Sequence, residues 1–103
     1  MGSNQVDATD LYVLPGAIDA HVHLEMPVNQ TTTSDDWLTG TIAAACGGTT
    51  TVIDFVEPEP DQRLMDALNQ RILQAKGPAV VDFALIMILT NGRADMFTYI
   101  PQF

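Results

Sequence analysis

Basic residues are scarce: four Lys and Arg stand against thirteen Asp and Glu, a formal net charge of −9 over 103 residues. Such a chain repels a phosphate backbone and offers no basic stripe, so nucleic acid is not an expected partner. Long apolar runs are missing as well. No stretch approaches the ~20 continuous apolar residues of a membrane-spanning helix. The start, Met1-Gly2-Ser3-Asn4-Gln5, lacks the basic and apolar regions of a secretory signal. The expectation is a cytoplasmic protein that does not meet a membrane. Cys46 is the single cysteine, so no internal disulfide forms, in keeping with a reducing compartment. There is no glycine-rich phosphate loop, internal repeat or low-complexity tract.

What is present has the balance of a globular domain, 47% hydrophobic and 17% charged. At this length the core is modest, because a small domain buries a smaller share of its surface than a large one. Apolar runs and helical patterns alternate in the order strand, helix, strand, helix, strand, which signals α/β with a parallel sheet. Val6 to Gly16 holds a short extended piece around Leu11 to Leu14, closed by the Pro15-Gly16 turn. The first strand, Ala17 to Leu24, puts Ile18, Ala20, Val22 and Leu24 on a buried apolar face and Asp19, His21 and His23 on the other. A polar loop spans Glu25 to Thr33. Ser34 then offers an N-cap, with Asp35 and Asp36 where a helix dipole favours negative charge. Leu38, Thr41, Ile42 and Ala45 supply the apolar stripe of that helix, and Gly47-Gly48 its stop.

Thr49 to Val56 is dense in β-branched residues and reads as a buried parallel strand ended by Pro58 and Pro60. Asp61 can cap a second helix with the stripe Leu64, Met65, Leu68, Ile72 and Ala75, broken at Gly77-Pro78. Ala79 to Leu89 reads as a third strand covered on both faces, and Arg93 to Ile100 as a further helix.

The chemistry centres on the two histidines, the only ones in the chain. Residues two apart on a strand leave the same face about 6.6 Å apart, near enough for two imidazoles to reach one ion at about 2.0–2.1 Å. Surface strands also carry such pairs without binding anything, so spacing alone leaves both readings open. Position strengthens the first, since parallel α/β folds place their sites at the C-terminal ends of strands, but a pair alone leaves zinc two ligands short of a four-coordinate shell. Asp19 either orients the pair or caps local backbone. Asp54 and Asp82 lie inside strands, where a carboxylate needs a hydrogen-bond partner or a place on an interior face. Cys46 reads as a small core residue rather than a nucleophile, no third histidine being available to activate it.

The ordered set VLPGAIDAHVHLEMP, TSDDWLTGTIAAACGGTTTVIDFVEPEP and VVDFALIMILT resembles the dihydropyrimidinase and D-hydantoinase branch of the amidohydrolase superfamily, from about Val6 to Phe103. The first motif is shared with dihydroorotase and allantoinase; the HLEMP continuation and the IDFVEPEP turn lie nearer the hydantoinases. The resemblance implies a (β/α)8 TIM barrel, of which residues 16–103 would be the first three β/α units. Residues 1–15 would then be a remnant strand of a small β-sandwich domain and its linker. It implies a binuclear zinc centre with His21 and His23 on the more buried metal, and a substrate-facing loop that includes Leu24, Met26 and Pro27. It also implies hydrolysis of the ring amide of a cyclic amide or ureide to an N-carbamoyl amino acid, and a homo-oligomer, a tetramer in the family.

The family's carboxylated lysine, two further histidines and aspartate acid/base find no match here. Lys76, the only lysine, does not fall at the bridging position. This chain alone is therefore expected to be inactive. Three units of eight would leave two open sheet edges, inviting self-association or a partner fragment. The non-enzymatic collapsin response mediator relatives, which have generally lost the histidine pair, and a self-associating scaffold are the competing readings; keeping both histidines favours the hydrolase lineage.

Overall fold

The computed structural model of the chain describes residues 4–89. The order of elements is β1 (Ala17–Val22), β2 (Pro27–Val28), β3 (Thr31–Thr32), α1 (Trp37–Cys46), β4 (Thr49–Val56), α2 (Leu64–Ala75) and β5 (Asp82–Met87). Strands β1, β4 and β5 make a parallel sheet in that spatial order, each helix serving as the crossover to the next strand. The α/β class with a parallel sheet is therefore as the sequence predicts. The expected helix from Arg93 to Ile100 lies outside the described residues.

The β4–β5 register is unbroken from Thr51 opposite Asp82 to Val56 opposite Met87. The β1–β4 register shifts twice, between Ala17 and Ile18 and between Asp19 and Val22, and ends with Val22 opposite Asp54. Helix α1 packs on β4, and α2 on β4 and β5. Consequently β4 is the covered strand: Val52, Asp54 and Val56 are buried beneath the helices, while Thr51, Ile53 and Phe55 are half-buried on the other face. Strand β1 is exposed almost throughout, with Ile18 and Ala20 open and only Val22 half-buried, which corrects the expected buried first strand. The helix after β1 lies over the following strand and leaves β1 at the edge. The core forms around Leu24, Trp37, Val52 and Ala75.

Several boundaries differ from expectation, each for a local reason. Helix α1 is capped by Asp36, not Ser34: the Asp36 carboxylate accepts from the Thr39 N–H at 2.7 Å, and Thr39 Oγ1 accepts from the Asp36 N–H at 3.1 Å. Its buried side is Trp37 and Thr41, while Leu38, Ile42 and Ala45 face outward. Cys46 is exposed on that outer side and is not a core residue. Gly48 ends the turn at φ 87, a left-handed value that glycine takes without strain.

Helix α2 starts at Leu64 after Arg63, leaving Asp61 in the preceding turn. Its buried side includes Arg71 among Leu64, Ala67 and Ala75, with Met65, Leu68 and Ile72 only half-buried. Strand β5 begins at Asp82, since the segment before it is occupied elsewhere: the Ala79 N–H donates to the Ala75 carbonyl and the Val80 N–H to Thr41 Oγ1 at 3.1 Å. Its residues alternate, with Asp82, Ala84 and Ile86 exposed, so it is not covered on both faces.

The loop after β1 is more ordered than its polar composition suggests. Strands β2 and β3 pair antiparallel across Asn29 and Gln30, with Asn29 at φ 53. Thr33 closes the base: the Met26 N–H donates to Thr33 Oγ1 at 2.8 Å and the Thr33 N–H to the Met26 carbonyl at 2.9 Å. Residues 11–14 join no sheet, and Tyr12 is 96% exposed.

Candidate metal centre

His21 is the last but one residue of β1, and His23 follows the strand's end by one position. Strand alternation sends both rings to the face away from the helices, where they meet. The two Nε2 atoms are 3.1 Å apart and the ring centroids 4.9 Å, at an interplanar angle of 79°. Phe55, on the same face of β4, backs both rings, with centroids 4.5 Å from His21 and 5.1 Å from His23. Two nitrogens bound to one tetrahedral zinc at about 2.0–2.1 Å stand about 3.3–3.4 Å from each other. The pair thus has the separation of two ligands on a common ion; equally, one neutral ring can donate its Nε2–H to the other. Both imidazoles are exposed on this face and open to an incoming ion.

Asp19 turns its carboxylate back on its own strand, where Oδ1 accepts from the His21 N–H at 3.2 Å. That is the backbone-capping alternative of its two sequence readings; it braces the residue that carries the first imidazole. Among the described residues no group of three or more His, Cys, Asp and Glu side chains is arranged to hold an ion. Lys76 lies at the C-terminal cap of α2 and is exposed.

Beside the pair, a cleft of about 530 Å³ opens between the loop after β1, the loop after β4 and helix α2. Met26, Pro27, Glu25, Phe55 and Glu57 line it. Phe55 therefore belongs to both the cleft and the histidine cluster. Of the three loop residues expected to face substrate, Met26 and Pro27 line this cleft, whereas Leu24 is 8% exposed and packs in the core. A one-residue step in side-chain direction separates Leu24 from the open face of His23.

Behind the pair lies a polar cluster that sequence reasoning missed. Arg71 Nε donates to Asp54 Oδ2 at 2.8 Å, and Arg71 Nη2 donates both to Asp54 Oδ2 and to the Leu24 carbonyl. Asp54 Oδ1 accepts from the Leu24 N–H at 3.3 Å. Nη1 of Arg71 reaches Gln74 Oε1 at 3.0 Å, and its guanidinium lies over Trp37. Asp54 has thus found a buried partner, while Asp82, at the start of β5, is exposed. The legible signal was Arg71 itself, which falls at helical spacing between Ala67 and Ala75 on a buried stripe.

Residues 12–92 match the Amidohydrolase family. The D-hydantoinase of Geobacillus stearothermophilus is 42% identical over 101 residues, covering 98% of this chain and 21% of that protein. The dihydropyrimidinase of Dictyostelium discoideum is 43% identical over 89 residues, 86% of this chain and 18% of that protein. A crystal structure of D-hydantoinase from Bacillus sp. AR9 superposes with a TM-score of 0.92 at 38% identity, covering 98% of this chain and 22% of the other. The chain spans about a fifth of the length of these relatives. Over that span it belongs to the amidohydrolase family, on its D-hydantoinase and dihydropyrimidinase side.

Proposed function

We propose that the chain is part of a zinc-dependent cyclic amidohydrolase that opens the ring amide C–N bond of dihydropyrimidines or hydantoins to give N-carbamoyl amino acids. In this reading residues 16–103 are the first three β/α units of a (β/α)8 barrel, and residues 1–15 derive from a small β-sandwich domain. His21 and His23 are two ligands of the more buried zinc in a binuclear centre. The reading extends to a cytoplasmic homo-oligomer. What supports it above all is the 3.1 Å separation of the two Nε2 atoms at the C-terminal end of a parallel strand, in a chain of this family.

A zinc ion held there would supply Lewis-acid polarisation of a ring carbonyl and activation of water near neutral pH. The chain's own residues do the rest. His21 and His23 would hold the ion through their ring nitrogens, and Asp19 holds the His21 backbone. Phe55 gives both rings an apolar backing and forms a wall of the cleft. Met26 and Pro27 shape the mouth through which a flat ring would enter.

The test is a chimera in which this chain replaces the matching segment of the Geobacillus stearothermophilus D-hydantoinase. It is expected to open hydantoin rings, and His21→Ala or His23→Ala to remove both zinc and turnover. A folded, zinc-loaded chimera without turnover would overturn the reading.

A further inference from the structure

We propose that the buried Asp54–Arg71 pair is a positioning device for His23, acting through the peptide groups of Leu24. His23 stands one residue beyond the end of β1, past Val22, the last residue that pairs with β4, so the sheet ladder does not hold it. The grip comes from side chains instead. Asp54 takes the Leu24 N–H and Arg71 takes the Leu24 carbonyl, while the two ionised groups hold each other through Arg71 Nε and Nη2. The Leu24 N–H belongs to the peptide unit that leaves His23, so any swing of that unit turns the imidazole away from its partner.

Three further observations converge on the same short segment. The Leu24 side chain is seated in the core against Trp37, Val52 and Ala75. The next residue, Glu25, is held at φ 47, a left-handed conformation that a non-glycine residue keeps only when its surroundings impose it. Its N–H donates to the Asp35 carbonyl at 2.7 Å. An ion pair is also a costly way to fill a core, since apolar residues of the same size are often as stable. Apolar residues there would leave both Leu24 peptide groups without partners; Asp54 and Arg71 satisfy them and fix their direction. Asp54 is completely buried, and Arg71, 7% exposed, reaches only the helix side of the cleft wall.

The inference rests on the metal reading for one arm of its test only. In that arm, Co²⁺ binding to the purified chain is measured by its visible absorption for the unsubstituted protein, Asp54→Asn, Arg71→Lys and Leu64→Ala. Leu64 is buried on the same helix but outside the Leu24 cluster, so its variant reports general destabilisation. Asp54→Asn and Arg71→Lys are expected to weaken Co²⁺ binding about 10–100-fold, and Leu64→Ala to leave it unchanged.

The metal-free arm follows proton contacts by NMR between the His21 and His23 rings and from each to Phe55, which the same two variants are expected to lose. If the unsubstituted chain binds no Co²⁺ but the ring contacts vanish in the variants, the metal reading fails and the positioning role stands. Folded variants that keep the ring contacts overturn it. Should both variants unfold, hydrogen exchange in the unsubstituted chain decides: a protected Leu24 amide supports the clamp, and one exchanging like an open loop amide refutes it.

Discussion

The guanidinium carbon of Arg71 lies 4.9 Å from the centroid of the Trp37 ring, which places a permanent cation beside the chain's single tryptophan in the interior. Trp37 is fully buried and Arg71 is 7% exposed, so the charge has lost most of its water and depends on Asp54 for compensation. Removing one partner strands the other. Arg71→Ala is expected to cost about 3–5 kcal/mol of folding stability, the usual penalty for an uncompensated buried charge. A double replacement with Asp54→Leu and Arg71→Met is expected to cost less than the sum of its single changes. Urea unfolding followed by Trp37 emission measures both; additive losses would show that the two groups do not depend on each other.

The N-terminus of α1 carries a pH-dependent element. Asp36 accepts hydrogen bonds from the Thr39 backbone and hydroxyl, which hold its carboxyl below the ordinary range. A folded-state pKa lowered in this way contributes stability that is present above the unfolded value and lost as pH falls below about 4. The melting temperature should therefore fall on the acid side in the parent chain. Asp36→Asn keeps a capping oxygen without the titration and should flatten that part of the profile, while Asp36→Ala should lower the melting temperature at neutral pH as well. A parent profile matching that of Asp36→Asn would remove the assignment.

Gly40 tests the packing around Leu24. In an open helix Gly→Ala gains up to about 1 kcal/mol. A Cβ at Gly40 would stand 2.4 Å from Leu24 Cδ2 and 3.3 Å from Asp35 Cβ, and Leu24 is held in the core. Gly40→Ala is therefore expected to lower the unfolding midpoint and to disturb the Leu24 amide resonance. A stabilised variant with an unmoved Leu24 would contradict this close approach.

How far the sequence carried depended on whether a residue's local neighbours decided its environment. The β-branched density of Thr49 to Val56 specifies a strand by itself, and the strand has those limits. Alternation in Asp19-Ala20-His21-Val22-His23 was enough to send both imidazoles to one face. The buried side of α1 was not legible, because alanines at 43, 44 and 45 make the helix apolar around much of its circumference. The exposure of β1 was not legible because among the described residues nothing pairs with its outer side, and edge position belongs to the sheet and not to the strand. The Asp54–Arg71 contact joins residues separated by 17 positions, and only the crossover through the β4–α2 turn brings them together. Glu25 to Thr33 was read as loop because a two-residue pair of strands is too short to show a period.

The proposed binuclear centre needs more ligands than the described residues bring together. The zinc-loaded chain by itself is accordingly expected to leave dihydrouracil and hydantoin rings intact over long incubation, as followed by loss of ring-amide absorbance. Turnover that disappears in His21→Ala would contradict that expectation.

Whether the two imidazoles share an ion is tested by a zinc titration of the purified chain by calorimetry, run alongside His21→Ala and His23→Ala. One ion per chain is expected, bound through both rings, with loss of that binding in either variant while the fold persists. Binding that is indifferent to both substitutions, or no binding by a folded parent chain, would contradict it.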